Sequence, residues 1–192
     1  MSMYEKENSW KDKLTVGEEF ELETIKHIRE KRYPLAHKFI SNNSNELKYY
    51  DINIPELSIG SSLIGIECKY DEEAFNSNNL CIEIGCNGVE SGLTVTKSKY
   101  WLHSDTKKIY LILTDKLREL IRIEYHEKLQ KFIDETNKPG ELLRIRLDKN
   151  YKLQQQKGVY KYMDWYLIPK DLFSEYCLEV AERDKMTYID LI

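Results

Sequence analysis

The sequence predicts an α/β fold in which helices flank a mixed β-sheet. Amphipathic helical patterns stand near the start, in the middle and near the end of the chain, with short strand patterns between them. The segment KIYLILT, residues 108–114, is almost wholly apolar, which is typical of a strand covered on both faces. A chain of 192 residues is long enough for one well-buried core and short for two. We therefore predict a single domain over residues 1–192.

Composition and charge indicate the cellular location of the protein more clearly than its function. The formal net charge is -4 and the pI about 5.7, so the global basic character of proteins that coat nucleic acids is missing. An acidic nuclease remains compatible with this charge, because its metal ligands are themselves carboxylates. The cysteines lack the spacing of a zinc site. They are Cys68, Cys81, Cys86 and Cys177. Without a signal peptide or a membrane-spanning apolar run, a cytoplasmic protein is expected.

In the first half of the chain, a stripe of apolar residues predicts a helix from Asp12 to Lys31, after a frayed polar start. Thr15, with Glu18 three residues later, has the pattern of a capping box, which would move the start of the helix to Thr15. The strands predicted in this half are residues 35–41, 48–54 and 62–70.

In the second half, LCIEIG at residues 80–85 is predicted to be the third strand of the group that precedes it. The segment 93–103 is ambiguous, and its pattern favours a helix. Asp115 is a plausible N-cap for the helix that follows. The other predicted elements are strands at 108–114, 142–148 and 157–169, and helices at 115–135 and 170–184.

The stretch from Tyr49 to Tyr70 concentrates charged side chains in apolar surroundings. Because side chains alternate along a strand, Glu67 and Lys69 share one face. If the two strands pair as a hairpin, Asp51 comes alongside Glu67. Two carboxylates form a minimal Mg²⁺ or Mn²⁺ site, and a nearby lysine can position a metal-bound water. The alternative is a strand edge with solvated charges, although a charge within an apolar strand is costly unless it is paired or metal-bound.

Asp51, followed by Glu67-Cys68-Lys69 and preceded by a helix with an acidic residue, resembles the PD-(D/E)XK nuclease superfamily. The proline of that name is absent, since Tyr50 precedes Asp51. The resemblance implies a restriction-endonuclease-like sheet with an αβββαβ core at about residues 14–135. A C-terminal extension of strand and helix would then occupy residues 141–192.

Other segments are similar to the small phage- and bacteria-encoded members and to the archaeal Holliday-junction resolvases. Gly17 and Glu21 match the Gly-x-x-x-Glu of their first helix. Residues 78–85 look like the phage-type strand with a further glutamate, and residues 91–101 like its Ser-Gly turn with a Thr/Ser and an aromatic pair.

The resemblance also implies a set of site residues. The implied metal ligands are Asp51, Glu67 and the backbone carbonyl of Cys68. Lys69 would orient or activate the attacking water, with Mg²⁺ as the cofactor and Mn²⁺ as its substitute.

Three further carboxylates have alternative roles. Glu21 would approach the metal from the helix, and Glu18, one turn earlier on nearly the same face, is its rival. Glu18 would instead be structural if it completed the capping box of Thr15. Glu83 would serve the metal site or pair with Lys69, because a charge in an apolar strand needs a partner.

DNA must reach such a site past flanking polar and basic side chains. The implied contacts are Ser91, Thr96, Lys97 and Lys99, with turn or cap duty as the alternative for the two hydroxyls. Tyr100 and Trp101 would stack on bases or pack in the core, and core packing suits at least one of them better.

The function that follows is a metal-dependent endodeoxyribonuclease in DNA recombination, repair or phage DNA metabolism. Branched, duplex and single-stranded substrates all remain open, and a resolvase would act as a homodimer. No phosphate-binding G-x-x-x-x-G-K-S/T loop is present, so ATP is not expected. The alternatives are a non-catalytic nucleic-acid-binding or assembly protein that retains the fold, and a small interaction protein with a coincidental motif.

Overall fold

The computed structural model describes residues 3–41, 49–58, 63–86, 89–127, 152–156 and 163–183. Helices and strands are mixed along this part of the chain, and one of its sheets contains both parallel and antiparallel neighbours. The predicted α/β class is therefore confirmed.

The helices and helical turns pack on the faces of the sheets or connect their strands. The helices are α1 (Met3–Lys31), α2 (Ala74–Ser77), α3 (Thr114–Ile121) and α4 (Lys170–Tyr176). A π-helical segment, Arg122–Glu127, continues α3. Short 3₁₀ turns lie at Pro55–Leu57 and Gly92–Thr94.

The strands of the described residues fall into two sheets. The first sheet contains β1 (His37–Lys38), β2 (Ile52–Asn53), β3 (Gly65–Tyr70), β6 (Tyr100–Ser104), β7 (Lys108–Leu113) and β10 (Glu179–Glu182). The second contains β4 (Asn79–Cys86), β5 (Val89–Glu90), β8 (Lys152–Gln156) and β9 (Met163–Pro169).

The first sheet has the order β1-β2-β3-β6-β7-β10. Its pairs are antiparallel except β3 with β6, which run parallel with Glu67 opposite Trp101. A parallel pair cannot be closed by a tight turn. The connection between β3 and β6 therefore leaves the sheet, and it contains α2, β4, β5 and the second 3₁₀ turn.

One face of the first sheet packs against α1. Alternate residues of β3, β6 and β7 form a buried cluster there with Phe20, Ile25 and Ile28 of the helix. The opposite face, which includes Trp101 and Tyr110, forms a second buried cluster with α3, α4 and the second sheet. This alternation explains why β7 is apolar at successive positions, as its sequence predicted.

Asp71, just after β3, joins the two sheets. Its Oδ1 accepts a hydrogen bond from the Ala74 amide of α2 at 3.0 Å, and its Oδ2 accepts one from the Cys81 amide of β4 at 3.0 Å. The second sheet is thereby tied to the end of the strand that carries Glu67 and Lys69.

Several predicted element boundaries in the first two thirds of the chain are wrong. The first helix begins at Met3, so Thr15 lies inside it and is not its N-cap. The segment predicted as a helix at 93–103 forms a 3₁₀ turn and then β6, whose side chains are all buried. The strand at 80–85 exists as β4, but it belongs to the second sheet and does not join the group that contains β3. The predicted group of strands that carry Asp51, Glu67 and Glu83 is thus divided between the two sheets.

Near the end of the chain, the predicted helix at 170–184 stops at Tyr176, and β10 follows. The predicted strand at 157–169 is described from Met163 onward. The helix α3 begins at Thr114 with Asp115 in its first turn, so Asp115 is not the N-cap. The predicted strand at 142–148 and residues 128–135 of the predicted helix lie outside the described residues. Among the described helices, none is both long and apolar enough to span a bilayer.

Candidate active site

Asp51 stands at the point where β2 separates from β3. Antiparallel pairing of Ile52 with Ile66 places it opposite Glu67, as the predicted hairpin requires. Its Oδ2 accepts a 2.7 Å hydrogen bond from the Cys68 amide, so the carboxylate continues the ladder where the backbone of β2 has left it. The Asp51 carboxylate is thereby held at the edge of the gap between β2 and β3, opposite Glu67. This gap is called the opening below.

The chain before Asp51 turns away toward the segment that precedes β6. The carbonyl of Tyr49 accepts a hydrogen bond from the Lys97 amide at 3.0 Å and lies 3.1 Å from the Thr96 hydroxyl oxygen. Gly65 makes the crossing feasible, because a Cβ there would lie 2.6 Å from the Tyr50 ring and 2.8 Å from the Ile52 carbonyl. The divergence of β2 from β3 thus requires a residue without a side chain at position 65.

Glu67 and Lys69 lie on the same face of β3, as strand alternation predicted. Lys69 Nζ is 2.6 Å from Glu67 Oε1 and 4.0 Å from Asp51 Oδ2. Glu67 is only 4% exposed, whereas the Lys69 side chain keeps 31% of its surface in solvent. The ammonium also lies 5.7 Å from the centroid of the Trp101 ring. Two carboxylates and one ammonium therefore converge at the opening.

Electrostatics hold Lys69 in its charged form. Burial acts to lower the pKa of Lys69, but the carboxylates of Glu67 and Asp51 outweigh burial and raise it above its ordinary value. Burial raises the pKa of Glu67, and Asp51 adds to this effect while Lys69 opposes it. Lys69 is thus an ammonium at neutral pH, suited to orienting a nucleophile or a phosphate oxygen rather than to taking up a proton.

Of Glu18 and Glu21, the two α1 carboxylates predicted to approach the metal, Glu21 is the more buried. Its side chain is 16% exposed against 54% for Glu18, although both carboxylates contact Lys38 Nζ, at 2.9 and 3.5 Å. Burial raises the pKa of Glu21, and Asp51 raises it further, which places Glu21 within electrostatic range of the Asp51 carboxylate. Glu18 cannot serve as a capping-box partner, because the helix has no N-terminus near it.

Lys38, on the edge strand β1, was missed by the sequence analysis. It lies opposite Ile52 in the antiparallel pair, and therefore on the face of the sheet that α1 covers. The Glu21 carboxylate raises the pKa of Lys38. The sequence offers little reason to single out Lys38, because a lysine in a short polar strand is common on protein surfaces.

Glu83 lies on β4 of the second sheet, near enough to Lys69 for their charges to interact. Its Oε1 accepts a 2.5 Å hydrogen bond from the Ser91 hydroxyl, and its charge contributes to the raised pKa of Lys69. Gly92 has a φ of +52°, and a Cβ there would lie 2.4 Å from the Glu83 carbonyl. The Ser91-Gly92 turn therefore packs directly on Glu83.

The proposed DNA-contacting residues occupy different environments. Thr96 is buried and donates its hydroxyl hydrogen to Glu67 Oε2 at 2.8 Å. Lys97 and Lys99 are exposed, with their ammonium groups 3.9 Å from the Tyr49 ring centroid and 5.0 Å from that of Tyr100. The two lysines thus form a basic rim beside the opening, while both hydroxyls, of Ser91 and Thr96, face carboxylates.

The aromatic pair after this rim belongs to the core. Tyr100 is 6% exposed and packs with the cluster beneath α1, and Trp101 is fully buried in the cluster on the opposite face. Core packing was the interpretation that suited at least one of them, and the structure shows it for both.

The oxygen donors present suit a hard divalent cation. Within the described residues, no three His, Cys, Asp or Glu side chains form a group able to hold a metal ion. The oxygen atoms at the opening instead come from the Asp51 and Glu67 carboxylates and from the backbone carbonyl of Cys68. The amide of Cys68 points toward Asp51, and the carbonyl of the same residue shares that side of the strand.

Comparison of this chain with models of protein families, with curated proteins and with solved structures finds no match.

Proposed function

We propose that the chain is a divalent-metal-dependent deoxyribonuclease that hydrolyses DNA phosphodiester bonds internally. One observation carries the proposal: Lys69 Nζ lies 2.6 Å from Glu67 Oε1 and 4.0 Å from Asp51 Oδ2, where two strands diverge. This convergence of two carboxylates and a lysine matches the Asp…Glu-x-Lys pattern that resembles the PD-(D/E)XK nucleases. A restriction-endonuclease-like fold is part of the same proposal.

Mg²⁺, or Mn²⁺ in its place, is the proposed cofactor. Asp51, Glu67 and the Cys68 carbonyl would hold it, and Glu21 would approach from α1. When bound, such an ion stabilises charge on phosphate oxygens and lowers the pKa of a coordinated water. All of these donors are oxygens, which is the preference of both ions.

Lysine side chains would orient the reacting groups and bind the DNA backbone. The Lys69 ammonium would donate hydrogen bonds to the attacking water and to a phosphate oxygen, so that both are aligned for reaction. Lys97 and Lys99 would contact phosphates on either side of the cleaved bond. Tyr49, beneath Lys97, would support that ammonium at the rim.

The proposal includes a cytoplasmic role in DNA recombination, repair or phage DNA metabolism, without ATP. Branched, duplex and single-stranded DNA are the candidate substrates. Cutting both strands of a junction would require two copies of the site, and hence a homodimer.

The test is cleavage of supercoiled plasmid, single-stranded circles and a synthetic four-way junction with Mg²⁺, with Mn²⁺ and with chelator. Lys69→Ala serves as the inactive variant and Lys116→Ala as the matched control, because Lys116 is an exposed lysine of α3 that pairs with Glu119. Metal-dependent cutting that only Lys69→Ala loses is expected. Equal cutting by wild type and Lys69→Ala would contradict the proposal.

A second candidate function is a non-catalytic nucleic-acid-binding or assembly protein. It is favoured by the 2.6 Å ion pair of Lys69 with Glu67 on β3, because such a pair also neutralises a buried carboxylate where no metal binds. Calorimetry with Mn²⁺ separates the two. If the chain is a nuclease, the wild type should bind Mn²⁺ and Asp51→Ala should not. If the ion pair is purely structural, neither protein should bind Mn²⁺.

A further inference from the structure

The Thr96 hydroxyl is confined by three polar groups. Glu67 Oε2 lies 2.8 Å away and the Tyr49 carbonyl 3.1 Å away, and the Ser98 amide donates to the hydroxyl oxygen at 3.2 Å. A hydroxyl has one hydrogen to donate. Because Glu67 is both nearer and a carboxylate, it receives that hydrogen, and the Ser98 amide fills an acceptor position of the same oxygen.

This contact determines the orientation of Glu67. Lys69 holds Oε1 at 2.6 Å and Thr96 holds Oε2 at 2.8 Å, so the two oxygens of the carboxylate are directed toward different partners. Glu67 and Thr96 are 4% and 2% exposed, so water offers little competition for either contact. Without the hydroxyl, the carboxylate could rotate about its own axis while Lys69 followed it.

Thr96 lies outside regular secondary structure, between the Gly92–Thr94 turn and β6, and Arg118 of α3 fixes its backbone. Arg118 Nη2 donates to the Thr96 carbonyl at 2.6 Å and to the Leu93 carbonyl at 3.2 Å. Its Nη1 pairs with Asp115 Oδ1 at 3.0 Å on the same helix, which orients the guanidinium. One side chain thus links α3 to both ends of the segment that carries Thr96.

We propose that Thr96 and Arg118 are positioning residues, in which Arg118 fixes the segment and Thr96 orients the Glu67 carboxylate for metal binding. The inference rests on the proposed function and extends it. It also assigns Thr96 to the metal-binding carboxylate instead of to the DNA backbone.

The experiment compares Thr96→Val, which keeps the shape and removes the hydroxyl, with Thr96→Ser, which keeps the hydroxyl. Mn²⁺ affinity is measured by calorimetry, together with KM and kcat on DNA. Because loss of a group that orients a metal ligand weakens metal binding by about 10- to 100-fold, Thr96→Val should bind Mn²⁺ at least about tenfold more weakly. Its kcat should fall while KM for DNA is unchanged, and Thr96→Ser should remain within about threefold of wild type.

Arg118→Gln should reproduce the loss of Mn²⁺ affinity to a smaller degree, whereas Lys116→Ala, two residues away, should not change it. Wild-type Mn²⁺ affinity in folded Thr96→Val would overturn the proposal. Equal losses in Thr96→Ser and Thr96→Val would also overturn it, because packing would then be the role of Thr96.

A metal-free double-mutant cycle keeps this inference separate from the proposed function. Thr96→Val, Glu67→Ala and their combination are unfolded in urea without metal, and the two sites should be coupled by about tenfold in the unfolding constant. Additive effects would show that the hydroxyl does not hold the carboxylate. A wild-type chain that binds no Mn²⁺ removes the proposed function, while the cycle still decides whether Thr96 orients Glu67.

Discussion

Asp51 Oδ2 lies 2.7 Å from the Cys68 amide nitrogen and accepts its hydrogen at the point where β2 leaves β3. One carboxylate therefore completes the hydrogen-bond ladder of a strand and also supplies charge to the candidate site. These two contributions, one to stability and one to metal binding, can be separated by substitution.

Asp51→Asn retains an oxygen that can accept from the Cys68 amide but removes the charge. We expect its free energy of unfolding to stay within about 1 kcal/mol of wild type, while Mn²⁺ binding is lost. Asp51→Ala should cost about 1–3 kcal/mol, because it leaves a buried amide without its acceptor. Urea unfolding and calorimetry measure the two quantities. An alanine variant as stable as the asparagine variant would contradict the structural part.

Lys69→Ala leaves the buried Glu67 carboxylate without its nearest cation. Breaking a buried ion pair by removing one partner costs about 3 kcal/mol, so the variant should unfold at markedly lower urea concentration than wild type. Adding Glu67→Gln should restore much of this loss, since no unpaired charge then remains. If the double variant is less stable than Lys69→Ala, the ion pair does not account for the effect.

Glu21→Gln should change stability in a pH-dependent way. Burial raises the folded pKa of Glu21 above its ordinary value of 4.5, so between these two values the native state binds more protons than the unfolded state. The contribution of Glu21 to stability is thus fully present below pH 4.5 and is lost as the pH rises through the folded pKa. The glutamine variant lacks this loss. Its melting temperature relative to wild type should therefore increase from pH 4 to pH 7.

Glu18→Gln is the control for that experiment, because the Glu18 carboxylate contacts the same Lys38 but is 54% exposed. Because this carboxylate stays in contact with solvent, its replacement should change the melting temperature little. A pH-independent difference in Glu21→Gln would show that desolvation of Glu21 is not the cause.

Two glycines should respond to alanine in opposite directions. Gly92 has a φ of +52° and a Cβ there would meet the Glu83 carbonyl at 2.4 Å, so Gly92→Ala should destabilise by about 2 kcal/mol or more. Gly17, inside α1, has nothing within 4 Å of an added Cβ. Gly17→Ala should therefore stabilise by up to about 1 kcal/mol. Thermal unfolding of both variants measures these changes, and destabilisation by Gly17→Ala would show an unseen constraint on the helix.

The sequence was informative where a single strand or hairpin determines the geometry. Alternation placed Glu67 and Lys69 on one face, and the hairpin brought Asp51 alongside, because both follow from local strand geometry. The apolar run of β7 was equally clear. These are the features that the candidate site needs, so its central residues could be predicted without a structure.

Predictions failed where long-range packing decides the outcome. The strand β6 is buried on both faces and includes His103 and Ser104, so it has neither the alternation nor the composition of an ordinary strand. The short edge strand β10 continues the amphipathic pattern of α4, which favoured one longer helix. Which strands share a sheet is likewise not encoded in periodicity, and β4 was therefore assigned to the wrong group. The contacts of Lys38 with Glu21 and of Arg118 with Thr96 likewise join residues distant in the chain.

The parallel pairing of β3 with β6 has a consequence for the order of folding. The strands β6 and β7 are adjacent in sequence and can pair early. The pairing of β3 with β6 closes a longer loop, which contains α2 and β4, and is therefore expected to form later. The groups that orient and bury Glu67, from Thr96 to Trp101, also come later in the chain than Glu67 itself. A polypeptide still emerging from the ribosome therefore carries the carboxylates without their assembled surroundings. We expect the site to mature only after synthesis has passed β7.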